Sequence, residues 1–129
     1  MSPAPVTSLW AALCAAWLLW LSVAVIRQRL RARVAIGLGE DRLLLRACRA
    51  QGNFVEYAPL ALLLILLLEL GGTAAWFLHA LGAALFLGRV VHALGISREP
   101  EQLRLRQAGM LLTFGVLALG AAALLARAL

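Results

Sequence analysis

Arg42, Arg46, Arg49, Asn53 and Glu56 follow one another at intervals of 4, 3, 4 and 3 residues. On an α-helix that spacing places all five on one face. Arginine forks take carboxylates bidentately, a carboxylate holds an ammonium, and a side-chain amide hydrogen-bonds a peptide backbone. The stripe therefore suits a ligand with two carboxylates and one ammonium. Glutathione has that set of groups, although these residues alone leave the ligand class open. Tyr57, four residues past Asn53, either adds a phenol to the stripe or serves as an interfacial anchor. The competing reading of the stripe is an Arg–Glu pairing that only joins helices.

The elements that carry this stripe follow from composition. The 129 residues are 64% hydrophobic and 14% charged, with mean hydropathy +0.92. Soluble domains average about 45–50% apolar and about 25% charged. An all-α integral membrane protein is expected, a four-transmembrane-helix bundle forming one domain over residues 1–129. A span needs about 20 apolar residues, and four of them leave no room for a soluble catalytic domain. The expected helices are about 6–26, 43–70, 74–94 and 103–126. The first reads as a retained helix, because Arg27, Arg29, Arg31 and Arg33 follow it where a signal peptide would carry a cleavage site. Gly71 and Gly72 should end the second helix, with Thr73 capping the third. Pro59 should bend the second just past the stripe. The stripe runs about 21 Å along that helix, so Asn53 and Glu56 lie at or below the headgroup boundary and must face protein, water or ligand.

All 12 basic residues are arginine, against six acidic ones. They flank apolar runs, so topology explains them better than nucleic acid, which is not an expected partner. Arg27, Arg29, Arg31, Arg33, Arg42, Arg46 and Arg49 surround the first connection, and Arg89, Arg98, Arg104 and Arg106 surround the third. Only Arg127 lies at the other end. The positive-inside rule then puts both Arg-rich connections in the cytoplasm and both termini outside. Cys14 and Cys48 match no metal or redox spacing, and no metal site is expected.

The run from Arg49 to Leu60, Arg-Ala-Gln-Gly-Asn-Phe-Val-Glu-Tyr-Ala-Pro-Leu, resembles the signature of the MAPEG family, the membrane-associated proteins of eicosanoid and glutathione metabolism. It is close to the form seen in leukotriene C4 synthase. The similarity extends to the basic stretch after the first helix, to Gly88-Arg89-Val90-Val91-His92, and to Gln102-Leu103-Arg104-Leu105. The compact loops resemble the bacterial branch, which implies a bacterial inner membrane. The resemblance further implies a homotrimer with sites between neighbouring subunits, open to the cytoplasm and to lipid. Glutathione would be the cosubstrate, held by Arg49, Asn53, Glu56 and Tyr57, with Gln51 and Arg29 (or Arg31 in a shifted register) as further contacts. Arg104 matches the arginine beside the glutathione sulfur. A free thiol has pKa about 8.5, and a fixed cation beside it favours the thiolate, which is the nucleophile.

The third helix departs from the pattern: tyrosines of the glutathione-using enzymes correspond here to His92 and Ile96. His92 can substitute as a hydrogen-bond donor to glutathione or be structural. Three functional classes follow. One is a glutathione transferase or peroxidase acting on hydrophobic electrophiles from the bilayer. The second is a family member binding lipid or glutathione without turnover. The third, a small multidrug exporter, ranks last because the first helix has no carboxylate.

Overall fold

The computed structural model describes all residues 1–129. It consists of four helices, α1 (Pro5–Ala32), α2 (Arg42–Leu70), α3 (Ala75–Ile96) and α4 (Leu103–Ala128), each long and apolar enough to cross a membrane. The chain is an integral membrane protein in contact with lipid. With 28 and 29 residues, α1 and α2 each reach about 42–44 Å. Both overshoot the hydrocarbon layer of about 30 Å, so the first turns of α2 extend beyond it.

The helices begin and end for local reasons. Pro5 opens α1, a position where its missing N–H is no loss. No breaker follows Ile26, so α1 runs on through the basic cluster to Ala32, further than its apolar run implies. It stops at Arg33, whose φ of 57° is left-handed. Asp41 caps α2 by accepting from Leu44 N at 2.8 Å. Gly71 and Gly72 close α2, Gly72 with φ +78°. The expected Thr73 cap is absent: Ala74 holds the cap position of α3, and Thr73 Oγ1 is buried without a partner. Pro59 sits within α2, which continues through it.

The helices alternate in direction. At the end holding both termini, the Glu69 carboxylate accepts from Val6 N (2.8 Å), Thr7 N (2.7 Å) and Thr7 Oγ1 (2.5 Å). A carboxylate on α2 thus caps α1, where the helix dipole favours an anion. At the same end Trp10 Nε1 donates to His79 Nδ1 and Arg127 Nη1 to the Gly71 carbonyl. α2 and α3 lie between α1 and α4, which do not touch each other. One apolar cluster runs through the bundle, with Ala50, Phe54, Ala58, Ala61, Ile65 and Leu68 of α2 as its spine. Small residues set the closest approaches, as in other membrane bundles. A Cβ on Gly82 would collide with the Trp10 ring, and one on Gly109 would fall 2.5 Å from the Gly88 carbonyl oxygen.

Candidate functional site

The stripe on α2 divides into three parts according to its partners. Nearest the start of the helix, Arg42 and Arg46 are taken by the turn between α3 and α4. Arg42 Nη2 lies 2.9 Å from Glu99 Oε1, and Arg46 lies 2.6 Å from Glu99 Oε2 and 3.3 Å from Glu101 Oε2. Arg106 of α4 joins this network at 3.1 Å from Glu101. The hydrogen bond from Arg46, with Arg42 adding its charge, holds the Glu99 carboxyl below the usual carboxylate range. In the other turn, the Leu44 N–H and then Arg31 do the same for Asp41.

One turn further on, Arg49 Nη1 meets Glu56 Oε1 at 3.3 Å, and both side chains are about half exposed (51% and 49%). The pair bridges two turns of helix across Gly52, where a Cβ would sit 3.5 Å from Arg49 Nη1. Arg42, Leu45, Arg46, Arg49, Ile96, Glu101 and Arg106 surround a cleft of about 280 Å³. Next to it, along α4, an apolar groove of about 620 Å³ is lined by Leu103, Arg106, Gln107, Met110, Leu111 and Phe114. Arg106 belongs to both, so a polar and an apolar recess meet at one guanidinium.

The third part, the half-buried Asn53, meets a buried cation. Arg89 of α3 is 2% exposed and no carboxylate reaches it. Its Nε donates to Thr113 Oγ1 at 3.0 Å, and its Nη2 points to the Gly109 carbonyl and Met110 Sδ. Its Nη1 donates to Asn53 Oδ1 and, at 3.4 Å, to the Asn53 carbonyl. The guanidinium also lies over the Tyr57 ring, 5.8 Å from the centroid, while Tyr57 meets Phe114 edge to face at 5.6 Å. Such a cation needs a full set of hydrogen bonds to be tolerated in the membrane interior. Asn53, Thr113 and the α4 backbone supply them.

The MAPEG family profile matches residues 7–126. The chain belongs to the MAPEG family. Among its relatives are the inner membrane protein YecN of Escherichia coli strain K12 and its counterpart in Escherichia coli O6:H1. Each is 39% identical over 114 residues, covering 88% of this chain and 86% of the relative. With its four apolar helices, the chain is a MAPEG protein of the inner membrane.

The fold brings some of the residues marked by the MAPEG resemblance together and disperses others. Arg49 and Glu56 pair on one face of α2, and Asn53 and Tyr57 sit against Arg89. Gln51 points the other way: its Nε2 donates to Ser22 Oγ of α1 at 2.9 Å. Arg29 is occupied by the first connection, with Nη1 donating to the Gly37 carbonyl at 2.7 Å. His92 is 2% exposed and packs where α3 crosses Gly109. Arg104 is exposed on the first turn of α4, and its side chain makes no hydrogen bond or ion pair within the chain.

Two arginines take places that sequence spacing does not reveal. Arg89, by its position one of the basic residues flanking the third connection, is buried inside the bundle. A glycine beside it, and Gly109 and Thr113 four apart on α4, are the signals that a long side chain has room and acceptors there. Arg106, two residues past Arg104, is the α4 arginine that lines the cleft.

Proposed function

We propose that this protein is a glutathione-dependent transferase or peroxidase that turns a glutathione thiolate on lipophilic electrophiles arriving from the bilayer. The observation that carries the reading is the Arg49–Glu56 pair, opposite charges half exposed on a membrane-spanning helix beside an arginine-lined cleft. Charged groups at that depth are costly against lipid, and this face suits closure by ligand and by neighbouring copies. A homotrimer with its sites between subunits supplies that cover. It also gives Arg104 a role toward the glutathione sulfur of the adjacent subunit, where its charge favours the thiolate. The groove along α4, sharing Arg106 with the cleft, offers a seat for the hydrophobic electrophile. The Arg-rich end faces the cytoplasm, where glutathione enters, and the termini face outward.

The test is glutathione titration of the protein purified in detergent, read by calorimetry and by the ultraviolet absorbance of the thiolate. Arg49→Ala and Glu56→Gln should each weaken binding at least tenfold, about 1.4 kcal/mol, while Arg127→Ala binds normally. Arg104→Ala should keep the affinity but raise the bound thiol's pKa. It should also slow conjugation of chlorodinitrobenzene by about 10- to 1000-fold, or about 1.4 to 4 kcal/mol of transition-state stabilisation. A second reading, a MAPEG protein that binds glutathione or lipid without turnover, is favoured by His92 and Ile96, both buried inside the bundle. Binding without thiolate signal or conjugation would select it. Failure of the wild type to bind glutathione at all would end the transferase reading.

A further inference from the structure

Asn53 meets Arg89 in a way that fixes which of its amide atoms faces the open side of α2. An arginine has N–H groups only and accepts no hydrogen bond. The Asn53 atom in contact with Arg89 Nη1 is therefore its oxygen, and the second contact, to the Asn53 carbonyl at 3.4 Å, holds the residue at two points. Asn53 Nδ2 is left with no acceptor within the chain, on a residue that is only partly buried. Arg89, 2% exposed, cannot itself touch anything that binds on that face. Its charge, unopposed by any carboxylate, polarises the amide and makes the Nδ2 hydrogens stronger donors. Glu56, three residues further along the same face, offers the opposite polarity.

We infer that Arg89 is a positioning residue, one that grips Asn53 by its amide oxygen and so commits Asn53 Nδ2 to donate to a carboxylate or peptide carbonyl of the ligand. This rests on the glutathione reading and adds an orientation to it: acceptor groups of the ligand face Asn53, and its ammonium faces Glu56. An ammonium presented at Asn53 meets only donors and is refused.

Two substitutions at one position separate this from a purely structural role. In Asn53→Asp the near-isosteric carboxylate keeps the Arg89 contact as an ion pair, but an anionic oxygen replaces the donor that faces the ligand. In Asn53→Ala, Arg89 loses its acceptor and the ligand loses a donor without gaining a repulsion. Melting temperature in detergent should therefore rank Asn53→Asp at or above wild type and Asn53→Ala below both. Glutathione affinity should rank oppositely for the two variants, with Asn53→Asp weakened more than tenfold and Asn53→Ala less. A merely structural residue would make affinity follow stability. The inference is overturned if Asn53→Asp binds glutathione as tightly as wild type, or if it melts below Asn53→Ala or fails to fold. A wild type that binds no glutathione refutes the function proposed above, and the melting order then decides alone whether Arg89 holds the oxygen.

Discussion

Gly109→Ala is the sharpest probe of how α3 and α4 are joined. The added Cβ would lie 2.5 Å from the Gly88 carbonyl oxygen and 2.6 Å from His92 N and Cβ. Two of those three are backbone atoms of α3, so no rotamer change relieves the contact. Ordinary separation requires the helices to part by close to an ångström, and overpacking of this kind costs about 1–3 kcal/mol. Alanine gains about 1 kcal/mol over glycine in helix propensity, which leaves a net loss of up to about 2 kcal/mol and a gap of about 1–3 kcal/mol from a substitution that gains propensity without the clash. The same displacement pulls the Gly109 carbonyl and Thr113 from Arg89, to which they are bonded, so loss of tight packing and loss of charge satisfaction coincide. Gly115 is the control, six residues along the same helix, where an added Cβ would meet nothing within 4 Å. Gly115→Ala should be neutral or slightly stabilising. Thermal unfolding in detergent followed by tryptophan fluorescence measures both. Equal midpoints for the two variants would refute the claim that the Gly88–Gly109 crossing sets the α3–α4 distance.

Glu69→Ala strips the acceptor from two backbone N–H groups and the Thr7 hydroxyl. It should cost about 1–3 kcal/mol, read as earlier melting and faster proteolysis near Pro5. The carboxyls of Asp41 and Glu99 are held below their ordinary values. Their contribution is thus complete above the unfolded-state pKa of about 4 and is lost as pH falls through the lower folded values. Melting temperature should drop in that acid window, and Glu99→Gln should blunt the drop. A cysteine at Gly37 should react with an impermeant maleimide only from the cytoplasmic side, and tags at either terminus only from outside. Labelling of residue 37 from outside would invert the topology.

The spans are legible in the sequence because four largely apolar stretches separated by turn residues admit few alternatives, and Gly71-Gly72 marks a boundary that local backbone chemistry enforces. The end of α1 is not, since hydropathy falls at Arg27 while helical hydrogen bonding persists to Ala32. Periodicity places the stripe on one face of α2 but says nothing of what will meet it. Glu99 and Glu101 lie more than fifty residues from Arg46 in sequence, and only the return of α3 toward the start of α2 brings them onto it. Arg89 is illegible for a related reason. Its burial depends on where three helices converge, whereas a count of arginines by side sees only its distance from a loop.

The Glu69 and Arg127 contacts also bear on how the chain is made. Val6 and Thr7 leave the ribosome some sixty residues before the carboxylate that caps them, so α1 enters the bilayer with its leading N–H groups met only by water. The first hairpin latches when the last turn of α2 emerges, and α4 is tied in when Arg127, in its last turn, reaches back to Gly71 at the end of α2. Both ties are made from the last turn of a later helix to an earlier part of the chain. A chain cut short just before Arg127 would therefore insert with all four helices and still lack its closing latch, giving proteolytic surveillance an unfastened end to find.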